Sequence, residues 1–100
     1  MTLRIDFDEV RALALRNALA ICHRVLPGGR VVGGEYEVRN PKRIDRNPGS
    51  FRINVRTGRW SDFATGDSGG DVISLVAYLF DISQLEAARR LSSLLSLSSE

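Results

Sequence analysis

Most of what the 100-residue sequence excludes follows from what it has little of: one cysteine, one histidine, one tryptophan and one methionine. A lone Cys22 rules out a disulfide framework. One Cys and one His together rule out an ordinary structural zinc site built within one chain, which takes about four such ligands. No apolar run reaches the roughly 20 residues that span a bilayer, and the N-terminal MTLRIDFDEV lacks the apolar core of a signal peptide. A cytoplasmic protein without membrane association is therefore expected. No internal repeat is visible, and the length fits a single domain over residues 1–100 with one modest core.

Net charge is small in total, but positive charge is concentrated in place. The net charge is +2. Residues 1–38 balance, and residues 60–100 are acidic. Residues 39–59 hold Arg39, Lys42, Arg43, Arg46, Arg52, Arg56 and Arg59 against Asp45 alone. A local basic field of this kind attracts phosphates while the whole stays near neutral.

Periodicity supplies the elements. Asp6 and Glu9 have capping-box spacing, and Val10, Leu13, Ala14, Ala18, Ile21 and Val25 recur at helical intervals. One helix over 7–26 is expected, stopped by Pro27-Gly28-Gly29. Glu35 to Arg39 and Ser50 to Val55 alternate as half-buried strands do. An Asn- and Pro-bearing loop, 40–49, lies between them. Arg56-Thr57-Gly58-Arg59 reads as a hairpin turn that returns the chain as a third strand near 59–63. Gly69-Gly70-Asp71 opens a nearly all-apolar helix near 71–80, and Ser83 with Glu86 caps a last helix near 84–95. The expected fold is α+β: a small three-stranded antiparallel sheet packed with about three helices. One sheet face is apolar and the other rich in Arg and Asn.

Two motifs in the Gly-rich turn invite chemistry that the chain does not support. Gly66-Asp67-Ser68-Gly69-Gly70 matches the surroundings of a trypsin-like nucleophile, but that chemistry needs a His base, and His23 lies in a helical segment. The turn also lacks the Gly-Lys-Ser/Thr ending of a phosphate-binding loop, and Asp67 and Asp71 would repel phosphate. No base–nucleophile pair is visible, and no cofactor is expected. The basic hairpin is the better functional surface, because arginine forks onto phosphate and stacks on bases. Arg52, Arg56 and Arg59 are placed on the open sheet face or its turn, and Lys42, Arg43 and Arg46 on the adjacent loop. Trp60 is the aromatic considered for that surface, and packing under the sheet is its expected place.

Over about residues 31–95 the chain resembles the N-terminal zinc-binding domain of bacterial and phage DNA primases. The matching pieces are Asn40-Pro41-Lys42-Arg43, Pro48-Gly49-Ser50-Phe51, Trp60-Ser61-Asp62-Phe63-Ala64-Thr65, Gly69-Gly70-Asp71-Val72-Ile73 and Glu86-Ala87-Ala88-Arg89-Arg90-Leu91. Where that family carries its Cys and His ligands, this chain has Asn40, Arg43, Asp62 and Thr65. The resemblance implies a zinc-ribbon-like fold, here metal-free, because zinc does not carry over. Arg43 is expected to meet Asp62 at the vacated position, with Asn40 and Thr65 hydrogen-bonded around them. The resemblance implies a non-catalytic module that contacts single-stranded DNA in replication or mobile-element biology, since polymerisation in that family resides elsewhere. The alternative is a scaffold that docks a replication partner, such as a primase polymerase domain or a helicase, with DNA binding lost.

Overall fold

The computed structural model describes residues 5–42 and 50–95. Its centre is an antiparallel sheet of five strands in sequential order: β1 (Arg30–Val32), β2 (Glu35–Val38), β3 (Phe51–Asn54), β4 (Trp60–Asp62) and β5 (Ser68–Gly69). The sequence reading anticipated three. The two extra strands sit at the edges, and both are too short to show a period. β1 is folded onto β2 by Gly33-Gly34, whose φ values of 59° and 83° suit the two-residue hairpin that matches strand twist. β5 holds two residues, and its Gly69 lies where a Cβ would fall 2.5 Å from the Trp60 indole nitrogen. Absence of a side chain therefore lets β5 close over Trp60.

Alternation sets the two faces. Tyr36, Val38, Phe51, Ile53, Trp60 and Asp62 point to the core and are buried, while Glu35, Glu37, Arg52, Asn54 and Ser61 face outward. The β3–β4 turn is closed by Asn54, whose side-chain oxygen accepts from the Arg56 and Thr57 amides at 2.8 and 3.1 Å. Its carbonyl accepts from the Gly58 amide at 2.7 Å.

The helix expected over 7–26 is two: α1 (Phe7–Arg16) and α2 (Ala18–Val25), interrupted at Asn17. Asn17 leaves helical geometry at φ −113°, and its side-chain amide donates to the Leu13 carbonyl at 2.9 Å. This local bond competes with the backbone ladder, as Asn does within helices. The apolar stripe survives the break, running Val10, Ala14, Ala18, Ile21. Asp6 caps α1 by accepting from Glu9 N at 3.1 Å. α3 (Val72–Phe80) starts at a capping box formed by Asp71 and Ser74, and α4 (Gln84–Leu94) starts at Ser83.

α3 explains its own composition. Val72, Ile73 and Val76 pack with α1, α2 and α4, whereas Leu75 joins the sheet-side cluster of Tyr36, Val38, Phe51, Ile53 and Trp60. A helix clamped on two sides can spare few polar positions. α2 also bridges the clusters, with Ala18 and Ile21 on the helical side and Cys22 and Leu26 on the sheet side. Each fully buried large apolar side chain contributes about 1.5–3 kcal/mol. Among the described residues no helix is long and apolar enough to cross a membrane.

Candidate nucleic-acid interface

Strand register assembles the open sheet face into rows. Arg30, Glu37, Arg52, Ser61 and Ser68 are successive cross-strand partners over all five strands. Val32, Glu35 and Asn54 form the next row, which the Asn54 N–H bond to the Arg59 carbonyl extends at 2.8 Å. Arg52, Asn54, Arg59, Ser61 and Ser68 line a groove of about 630 Å³ on this face, with Glu35 at its side.

The arginines on and beside this face differ in what holds them. Arg52 reaches Glu35 at 3.6 Å and Glu37 at 3.3 Å, so its charge is shared within the sheet and its position is fixed. Arg56 and Arg59 are exposed at the hairpin, and neither has an ion-pair partner among the described residues. Arg30, which the sequence reading did not select, lies in the Arg52 row because β1 pairs with β2. Lys42 lies elsewhere. Its ammonium binds the Tyr78 carbonyl at 2.8 Å and the Asp81 carboxylate at 2.5 Å, and lies 4.9 Å from the centre of the Tyr78 ring. It thus ties its loop to the end of α3, the helix that covers the core face. Arg43 and Arg46 fall outside the described residues.

Trp60 is the core residue it was expected to be. Its ring packs edge-on to Phe51 and lies 4.7 Å from the Tyr78 ring, and its indole N–H donates to the Ser74 hydroxyl at 3.0 Å. The exposed aromatic of this region is instead Phe63, 73% exposed. Its amide donates to the Ser50 carbonyl at 2.9 Å, extending the β3–β4 pairing by one residue. Two residues beyond Ser61, it belongs to the open face. The Arg52 guanidinium lies over its ring, 5.9 Å from the centroid. The missed signal was the alternation itself: Trp60 and Asp62 inward require Ser61 and Phe63 outward.

Asn40 and Asp62, two of the four positions expected to stand where the resembling family has metal ligands, belong to a polar cluster under the sheet end. Asn40 and Asp62 are buried, and the Asn40 side-chain amide donates to Asp62 at 2.8 Å. The same amide group donates to the Tyr78 hydroxyl at 2.9 Å, and that hydroxyl donates to Asp67 at 2.8 Å. The other Asp62 oxygen accepts from the Ala64 amide at 2.8 Å. Thr65 is not part of the side-chain cluster. Its hydroxyl accepts from the Asp67 amide at 3.2 Å, and its own amide donates to the Asp62 carbonyl at 3.3 Å. The expected Arg43–Asp62 contact involves a residue outside those described. Partial burial raises the Tyr78 phenol above its ordinary value; the Asn40 bond opposes this and Asp67 adds to it. Among the described residues no three His, Cys, Asp or Glu side chains converge as a metal site would require.

No protein-family model matches the chain, and no curated protein matches it. A solved structure does: the crystal structure of the Aquifex aeolicus primase, zinc-binding and RNA polymerase domains, at 26% identity and a TM-score of 0.73. The match covers 94% of this chain and 22% of that one. The likeness supports a primase-related module, and the α+β architecture with its antiparallel sheet fits a zinc-ribbon-like domain.

Proposed function

We propose that this chain is a non-catalytic module of DNA replication or mobile-element biology that holds single-stranded DNA on the open face of its sheet. The observation that carries the reading is the pair of exposed hairpin arginines without ion-pair partners among the described residues, Arg59 lining the groove and Arg56 in the turn beside it. Cations in that position neutralise phosphates and release counterions, so binding weakens steeply with salt. Similarity to the Aquifex primase adds support from fold. Arg52 has a different part, since Glu35 and Glu37 already share its charge. The test is fluorescence anisotropy of a labelled single-stranded oligonucleotide at low and high salt. Saturable binding that falls with salt and is lost in the Arg56→Glu/Arg59→Glu variant is expected. No binding at low salt overturns the reading.

A second reading keeps the fold but gives its surface to a protein partner, such as a primase polymerase domain or a helicase. The two glutamates on the open face favour it, because they offset the basic field that DNA needs. A partner contact indifferent to Arg56→Glu and Arg59→Glu distinguishes this reading from the first.

A further inference from the structure

We infer that Phe63 is a stacking platform for an unpaired nucleobase, with Arg52 fixing one side of the site; this rests on the proposed binding of single-stranded DNA. Phe63 sits 73% exposed on a face whose β2, β3 and β4 positions are otherwise Glu, Arg, Asn and Ser, with the exposed Val32 at the far edge on β1. A single ring in a polar field is too small for the apolar patch that docks a protein, which extends over a few hundred Å². It is the right size for one planar base.

Three features favour a base as the occupant. The Arg52 guanidinium lies over the ring, and its bonds to Glu35 and Glu37 hold it there before any ligand arrives. Arginine beside an aromatic ring is a combination that accepts bases without sequence preference. Phe63 is also backbone-anchored through the Ser50 carbonyl, so the platform is preorganised. Finally, Arg59 stands on the same face near the other end of the β4 hairpin arm, four residues and roughly 13 Å away by strand rise. The face therefore offers a ring for a base and, further along, exposed cations for the phosphates. Bases in a duplex are paired and stacked on one another, so a platform of this kind selects single strands.

The test compares a short labelled oligothymidylate with an oligomer of equal length built from abasic sites, by anisotropy, on the full chain. The wild-type protein is expected to prefer the base-bearing strand about tenfold, as one stacked base provides. Phe63→Ala is expected to abolish that preference while leaving the salt slope unchanged, because the phosphate contacts remain. Phe63→Trp is expected to restore it. Phe63→Leu, which keeps apolar bulk without the ring, is expected to behave like the alanine variant. The inference is overturned if Phe63→Ala retains the preference, or if Phe63→Leu matches wild type. Wild-type binding to both strands alike also overturns it while leaving the phosphate reading intact. Wild-type binding to neither removes both.

Discussion

The side-chain amide of Asn40 donates to the carboxylate of Asp62 across 2.8 Å of buried space, joining two segments 22 residues apart in sequence. Both belong to the four positions that the sequence resemblance sets against metal ligands. The bond links the end of β2 to the end of β4, and Tyr78 extends the link to α3 and Asp67.

Removing one partner from that pair leaves a buried polar group short of a hydrogen bond. Asn40→Ala is expected to lower stability by about 1–3 kcal/mol, read by urea denaturation. An unchanged midpoint would show that the pair does not hold the two strand ends.

Chelation should have no effect on the fold. Asn40, Asp62 and Thr65 supply neither thiolate nor imidazole, the usual ligands of structural zinc. Thermal melts with and without EDTA are expected to superimpose. A fall in melting temperature on chelation would reveal a metal dependence that these side chains do not suggest.

The start of α3 gives a prediction in pH. Burial pushes the Asp71 carboxyl up, but the Ser74 amide and the Arg11 guanidinium outweigh it and hold the pKa below the ordinary carboxylate value. A depressed folded-state pKa stabilises the protein above the unfolded pKa, and this is lost as pH falls through the folded one. Asp71→Ala is expected to cost about 1 kcal/mol at neutral pH, as a lost N-cap does. The gap from wild type should close in acid below about pH 4, near the unfolded carboxylate value. Melting curves from neutral to acidic pH measure it, and a gap constant with pH counts against the charged cap.

β5 depends on the missing side chain of Gly69. A Cβ there would meet Ser74 Oγ and the Trp60 indole, each at 2.5 Å. Gly69→Ala is expected to destabilise by about 1–3 kcal/mol, the usual cost of overpacking. Trp60 fluorescence during denaturation reports it. Wild-type stability would mean that β5 closes on Trp60 less tightly than the geometry implies.

Cys22 is buried, and burial pushes its thiol up to about 12. The thiolate is the reactive species, so the native protein should be inert to a thiol reagent at neutral pH. Labelling should proceed at the rate of opening and accelerate in denaturant. Rapid modification without denaturant would place Cys22 outside the sheet-side cluster.

How much of this was readable beforehand differs element by element. Ser50 to Val55 alternates, so the inward Phe51 and Ile53 and the outward Arg52 and Asn54 were legible from the chain alone. So were the caps at Asp6, Asp71 and Ser83, because a cap is a relation within four residues. The same alternation, carried past Ser61, places Phe63 on the outward face. β1 and β5 were not legible, because strands of three and two residues carry no period and exist by pairing.

By itself, then, the sequence determined the local geometry: where helices begin, which residues of β2, β3 and β4 face the core, and that basic charge gathers around one hairpin. Those properties depend on neighbours in the chain. Tertiary structure decided which cations stay available, since Lys42 is drawn to α3 and Arg52 to Glu35 and Glu37 while Arg56 and Arg59 remain exposed. It also decided that Asn40 meets Asp62 and that Arg52 lies over Phe63. Such partners are set by strand register and helix packing between distant segments, which no local pattern specifies.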